Sequence, residues 1–453
     1  MSATTASEND GSGPFEVTHR LVLAIAIPMT LGFLTTPLLG LTDTAVAGRL
    51  GSADALAGMA VAAIIFDLLL GSFNFLRAST TGLVAQAFGR GDRREEQAIF
   101  WRSLTIALCS GFVLMLLSPL LLSAGLFLMA PTPEVAEVAS TYFMIRVLSA
   151  PMALANYALL GFVLGRGQGM TGLLLQAIIN GINIVLSITL GLGLGWGIAG
   201  IAWGTFTGET VGTLAGLAIV VSRFERADRP SRAEIFAPAR LKALFSLNRD
   251  IMIRTFVLIG AFAIMTRIGS SMGPLVLAAN AVLMNIFLVA GYYLDGIANA
   301  AEQLVGRAFG ANFRPAFDRA VKLTFLWSLG LGVVTTGLFL IFGANIVGLL
   351  TTTESVRAEA VKYLPWAALT AITGALAFQM DGVFIGATWS SAMRNMMLAA
   401  FIGYLAALAV FVPLLGNHGL WLALNLFLAF RGIFLAMRLP ALAGRQFSLA
   451  DRR

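Results

Sequence analysis

Charge is scarce in this chain, and so are the residues that build most active sites. Only 12% of residues are charged and 58% are hydrophobic, and the mean hydropathy is +0.85, so a water-soluble globular fold is excluded. One cysteine, Cys109, allows no intrachain disulfide; within the apolar run 104–122 it reads as a buried small hydrophobe. Two histidines, His19 and His418, cannot supply a haem pair or a multi-histidine metal centre. No nucleophile with a neighbouring base stands out either, so the chain reads as no enzyme, with no catalytic residue, no metal site and no cofactor.

What is present is apolar sequence in lengths that cross a bilayer. Residues 1–20, rich in Ser, Thr and Asn without a basic start or cleavage site, read as a disordered tail and not as a signal peptide. Apolar stretches follow at 21–47, 56–86, 99–129, 140–165, 170–195, 198–222, 250–268, 276–306, 320–350, 361–388, 394–415 and 418–439, which predicts twelve transmembrane helices. Basic residues fall on alternate loops, as real spans require: Arg90, Arg93 and Arg94, then Arg166, then Arg307, Arg314 and Arg319, then Arg394. The 223–249 segment is the most basic. Arg49, Arg267, Arg357 and Lys362 are exceptions on the other face. The net charge of +7 therefore reports orientation, with both termini cytoplasmic, and implies no nucleic-acid partner.

The chain also repeats itself. Arg49-Leu50-Gly51-Ser52 recurs as Arg267-Ile268-Gly269-Ser270, an offset of 218. Ala87-Phe88-Gly89 recurs as Ala308-Phe309-Gly310, Tyr142 as Tyr363, and Gly161-Phe162-Val163-Leu164-Gly165 as Gly382-Val383-Phe384-Ile385-Gly386, each at 221. Trp196-Gly197-Ile198 pairs with His418-Gly419-Leu420, and Glu209 with Arg431, at 222. A register kept over that distance implies duplication. Six spans per half is an even number, so the two lobes should be related by a pseudo-two-fold axis along the membrane normal. The expected organisation is a tail at 1–20, an N-lobe at 21–222, a basic linker at 223–249, a C-lobe at 250–440 and a cytoplasmic tail at 441–453. Two such lobes rocking about a central cavity alternate access; a duplicated scaffold or passive channel is the alternative.

Ionisable residues inside spans need a partner, a cavity or a function, because a central charge costs ~2.5–3.5 kcal/mol on insertion scales. Asp43 lies toward the outer end of span one, on a face with Gly32, Thr36, Gly40 and Ala47 that lets another backbone approach. Desolvation disfavours a bare carboxylate, so a proton could bind and leave there; an interfacial aspartate facing headgroups is the other reading. Span five carries Gln176, Asn180, Asn183 and Ser187 on one face, fit to hold a cation or to bond helices together. Span six adds Thr205 and Glu209, and close packing of spans one, five and six would gather Asp43, Asn183, Ser187, Thr205 and Glu209 into one pocket. Span eight reads Asn285, Tyr292, Asp295, Asn299, Glu302 as one polar stripe. Asp381 in span ten replaces Leu160 of the first half, and Arg77 in span two takes the place of Ala298. With Asn74 and Asn299, these groups mark a substrate pathway, or else Asp295, Glu302 and Asp381 serve as structural partners for Arg254, Arg267 or Arg431. Asp67, sharing a face with Gly71 and Asn74, reads equally as solvated or functional.

The strings Pro37-Leu38-Leu39-Gly40-Leu41-Thr42-Asp43-Thr44-Ala45, Phe75-Leu76-Arg77-Ala78-Ser79-Thr80-Thr81-Gly82-Leu83 and Asp381-Gly382-Val383-Phe384-Ile385-Gly386-Ala387-Thr388 resemble those of the multidrug and toxic compound extrusion (MATE) family, in its DinF-like branch, over residues 20–440. The resemblance implies a cation antiporter of the bacterial inner membrane that exports small organic substrates. It implies that Asp43 binds the coupling ion and that Asn183 and Thr205 match other polar positions of the same pocket. Family members commonly carry a fifth-span aspartate where this chain has Ser187. A sodium site wants several oxygens and compensating charge, so H+ is the expected coupling ion, with Na+ the alternative and Glu209 a possible second acid. Membrane lipids and small organic substrates are the expected partners, and a monomer is the expected working unit. A flippase or organic-anion exporter on the same scaffold is the second reading, because Arg77 suits an anionic group.

Overall fold

The computed structural model describes residues 15–448, and among them there are helices and turns but no strand. The sixteen helices are α1 (His19–Gly48), α2 (Ala53–Gly71), α3 (Phe75–Arg90), α4 (Arg93–Leu116), α5 (Ser118–Met129), α6 (Pro133–Arg146), α7 (Ala150–Gly165), α8 (Gly169–Ile188), α9 (Gly197–Val221), α10 (Arg232–Ile235), α11 (Pro238–Ser271), α12 (Pro274–Gly310), α13 (Arg314–Leu350), α14 (Glu354–Gly386), α15 (Ser390–Leu415) and α16 (Asn417–Ser448). With neighbouring segments joined across short breaks, they make twelve helices, among the described residues, long and apolar enough to cross a membrane. Large hydrophobic side chains such as Leu116, Phe127, Ile341 and Leu349 stand exposed on the outside of the bundle, as lipid contact requires.

Local chemistry sets the ends. Thr18, Ser52 and Asp92 each accept a backbone N–H three residues on, capping α1, α2 and α4. The stretch 99–129, expected as one span, is two helices: the chain breaks at Leu117 just before Pro119, which cannot donate into the preceding turn. Spans two and four are also broken, at Ser72–Asn74 and at the 3-10 turn Val147–Ser149 before Pro151. Their counterparts in the second half, α12 and α14, run unbroken. The repeat therefore keeps its topology but not its helix geometry.

Several expected boundaries move. Residues 15–20 are packed rather than free: Phe15 lies under Arg307, Arg319 Nε donates to the Val17 carbonyl, and His19 Nδ1 accepts from Trp327. At the other end α16 continues to Ser448 with Ala443 and Phe447 buried, because apolar residues recur there on one helix face. The remainder of both expected tails, 1–14 and 449–453, lies outside the described residues. In the 223–249 segment only the first part is a linker, since α11 starts at Pro238 and buries Leu244, Leu247 and Asn248. Cys109 is exposed on the bundle surface, not buried; an apolar run in lipid does not reveal which face points inward.

Packing gives the first half and the second half cores of their own, around Phe66, Phe143 and Ile201 and around Tyr404, Trp421 and Phe427. A further core joins them: Val17, just ahead of α1, and Val22, Ile25 and Ala26 of α1 pack with Leu304, Phe317 and Phe384. Gln86 Nε2 of α3 donates to the Gly386 carbonyl at 2.8 Å and to Thr388 Oγ1 at 3.1 Å. A side chain on Gly82 would strike the Ile385 carbonyl, and one on Gly310 the Gln86 carbonyl, so backbones of opposite lobes touch directly. These contacts lie in the halves of α1, α3, α12 and α14 that lead to the basic loops. Toward the other face, Thr36, Gly40, Leu41 and Leu288 are exposed.

Candidate functional site

Two polar clusters lie inside this frame. In the first lobe, Asp43 is buried near the far end of α1 from the basic loops, beside Ser187, and its Oδ1 has no hydrogen-bond partner. Ser187 Oγ donates to Asn183 Oδ1 at 3.0 Å, and Asn183 Nδ2 donates to Thr205 Oγ1 at 3.2 Å. A side chain on Gly204 would come within 2.9 Å of Ser187 N, so α9 reaches α8 here only because that position is bare. Directly after Ser187 the helix widens into a π-helical turn, Thr189–Gly193, a device that recurs at functional sites.

One helical turn deeper the chemistry changes. Arg146 and Glu209 stand four residues along from Tyr142 and Thr205, which places them about 6 Å further down their helices. Arg146 donates to the Tyr142 hydroxyl at 3.4 Å, approaches Asp67 Oδ1 at 3.6 Å and lies 4.4 Å over the Phe66 ring. Its charge acts on both Asp43 and Glu209. Glu209 Oε2 accepts from Asn156 Nδ2 of α7 at 2.5 Å, so its direct partner is on span four and not within the Asp43 group. Asn180 is also set apart: it donates to Thr35 Oγ1 at 2.5 Å, beside the α1 turn where Pro37 removes a backbone donor. Gly32 of the expected small-residue face meets Gln176 of α8, whereas Thr36 and Gly40 are exposed and Gly40 faces nothing within 4 Å; the outer half of α1 packs through Asp43, Val46 and Ala47 instead.

The second cluster crosses between the lobes. Arg77 Nη1 donates to Asn299 Oδ1 at 2.7 Å and sits 3.8 Å from Glu302, while its Nε donates to Asn74 Oδ1 at 3.2 Å. Asp381 is bound by two guanidiniums, Arg254 and Arg431, the latter at 2.6 Å. Asp295 is flanked by Arg77, Arg254 and Arg431 but is solvent-accessible, so it lines an open cleft. Asn74 is exposed as well, whereas Asn299 and Glu302 are buried. The stripe on α12 thus runs from an accessible stretch, where Asn285 bonds only its own helix at Ala281, down to a sealed floor at Arg77, Asn299 and Glu302.

Sequence reasoning passed over Arg146, Tyr142 and Asn156 as parts of the first cluster. Arg146 sits close to the end of an apolar run, where arginines usually reach toward headgroups; the available signal was that acids on three neighbouring spans lie at similar depth. Of the aromatic residues, Phe66 and Phe162 are packed in the first lobe's interior.

A duplicated twelve-helix bundle, with one ionisable cluster inside its first half and a second bridging the two halves, has the build of a polytopic membrane transporter with a parallel repeat. The chain belongs to the MatE family, whose model matches residues 28–189 and again 251–411, once in each half and displaced by the repeat found above. It is 36% identical over 423 residues to "DNA damage-inducible protein F" of Escherichia coli (strain K12), covering 91% of this chain and 90% of that one. It is 26% identical over 457 residues to "Probable multidrug resistance protein NorM" of Rhizobium meliloti (strain 1021), covering 95% of both. Among solved structures, one described as the outward-facing conformation of a multidrug resistance MATE family transporter of the MOP superfamily superposes with a TM-score of 0.83 at 18% identity, covering 97% of this chain and 99% of that chain. A MOP superfamily transporter from Pyrococcus furiosus superposes at 0.84 and 18% identity with the same coverage. Both share the fold.

Proposed function

We propose that the protein is a secondary antiporter of the bacterial inner membrane, with both termini in the cytoplasm, that exports small organic compounds in exchange for protons by rocking its lobes. The observation that carries this reading is Asp43: a buried carboxyl with an unpartnered oxygen, next to the Ser187–Asn183–Thr205 chain, at the end of α1 away from the lobe contacts near the basic loops. A proton arriving from outside binds at Asp43. Its binding replaces an acceptor oxygen with a donor and rearranges hydrogen bonds among α1, α8 and α9, which shifts the balance between the two lobe orientations. One proton entering down 100 mV supplies about 2.3 kcal/mol, enough for roughly a fiftyfold gradient of a neutral cargo at one-to-one exchange. The names of the relatives, multidrug resistance proteins among them, support organic compounds as cargo.

An anionic cargo held by Arg77 has less support, because that guanidinium is already engaged by Asn74, Asn299 and Glu302. The test is transport in proteoliposomes under imposed pH and sodium gradients in turn, with wild type beside Asp43→Asn. Export by wild type driven by the pH gradient and lost in the variant is the expected result. A variant that exports with full dependence on the pH gradient overturns the assignment.

A further inference from the structure

Arg146 is a permanent cation within electrostatic reach of acids on three other helices: Asp43 of α1, Glu209 of α9 and Asp67 of α2, whose own side chain is exposed. It is held from several directions at once, by the Tyr142 hydroxyl, by Asp67 at 3.6 Å and by the Phe66 ring face at 4.4 Å. A guanidinium stays charged at every physiological pH and cannot diffuse away. We propose that Arg146 is the resident counter-ion of the pocket: its guanidinium takes the electrostatic place that a sodium ion would fill beside Asp43, so the pocket exchanges protons and rejects alkali-metal ions.

The oxygen atoms agree with this assignment, which rests on the proton-antiport reading above. Sodium-sized cations need several oxygens turned toward them at once, with negative charge to spare. Here Asn183 Oδ1 already accepts from Ser187 and faces the Thr205 hydroxyl at 3.5 Å, and Thr205 Oγ1 accepts from Asn183 Nδ2. Asn183 Oδ1 and Thr205 Oγ1 are thus already engaged by protein donors, and Glu209 is held by Asn156. A proton needs none of them, because it bonds to the Asp43 carboxyl itself. The groups that act on Arg146 from the elements around it include Tyr142, Asp43, Asp67 and Glu209, so its removal takes away a positive charge that Asp43 and Glu209 share.

The test uses sodium as the probe on purified full-length protein with no gradient present. Wild type should show no saturable sodium binding and the same unfolding midpoint in sodium chloride as in choline chloride. Arg146→Gln should gain saturable sodium binding and an upward midpoint shift in sodium chloride, and Arg146→Gln combined with Asp43→Asn should lose both. Arg146→Lys, which keeps a cation, should behave as wild type. Sodium binding by wild type that depends on Asp43 overturns the proposal, and this measurement stands even where Arg146→Gln fails to fold; so does a folded Arg146→Gln that ignores sodium. Vesicles in which wild type exchanges no protons for cargo would remove the antiport reading and leave these binding data to judge Arg146 alone.

Discussion

Arg77 of the first lobe donates to Asn299 of the second at 2.7 Å, and this bond lies on the floor of the cleft, with the buried Glu302 3.8 Å away. Below it the lobes are packed; above it Asn74 and Asp295 are accessible. Removing the guanidinium leaves Glu302, only 3% exposed at its side chain, without its ion partner. Arg77→Met is therefore expected to lower apparent stability by about 3–5 kcal/mol, and Arg77→Met with Glu302→Gln to recover most of it. Unfolding of the two singles and the double in detergent measures the coupling; strict additivity would show that the pair does not interact.

Asp381 poses the same question with two arginines on one carboxylate. Asp381→Asn leaves Arg254 and Arg431 without their hydrogen-bonded carboxylate, with only Asp295 beside them, and should be strongly destabilising, again by about 3–5 kcal/mol. Asp381→Asn with Arg431→Met should be the milder lesion, because one uncompensated cation goes with the acid. Unfolding midpoints of the three proteins decide it, and a double variant less stable than Asp381→Asn would refute the reading.

The bare backbone contacts between lobes make conformation testable without touching a polar group. An added methyl at Gly310 would strike the Gln86 carbonyl only while the basic-side faces are together. Gly310→Ala should then shift the population toward separation of those faces. Spin labels at Arg90 and Arg314, in a Cys109→Ser background, should report a longer distance in the variant. An unchanged distance distribution would mean that the contact is accommodated by local relaxation.

Gly204 and Gly181 form a matched pair for the first cluster. Gly204→Ala places a methyl 2.9 Å from Ser187 N, whereas Gly181→Ala meets nothing within 4 Å. The first should part α9 from α8 and sharply reduce proton-driven transport. The second should leave transport intact and, by limiting the unfolded chain, stabilise by about 0.4–1 kcal/mol. Equal transport in the two variants would count against a working Asn183–Thr205 contact.

The sequence made the twelve spans and the duplication legible because both are written in long runs: twenty apolar residues, or a register held across half the chain, survive local ambiguity. It also brought Asn183, Ser187 and Thr205 to one place, since helical spacing and glycines on the facing helix specify contact. It did not reveal that Glu209 turns to Asn156, that Asn180 turns to Thr35, or that Gly40 and Cys109 stand exposed, because rotation of a helix about its axis is not encoded when all of its faces are apolar. In lipid the usual polar outer face is missing, and the pattern that orients a soluble helix is lost with it. Breaks at Leu117 and at Ser72–Asn74 were hidden for a related reason: hydropathy continues straight through them.

Helix α1 starts inside the core that joins the two halves, at Val22, Ile25 and Ala26, and finishes beside Ser187 in the first half's own pocket. No flexible loop separates those two allegiances. If the bundles tilt relative to each other, the strain must be absorbed within a single rod, and Pro28 and Pro37 are the two places where that rod has already given up a rung of its ladder. The mechanical joint of the molecule and its chemical trigger are then two ends of one helix, some 20 residues apart, at ~1.5 Å per residue.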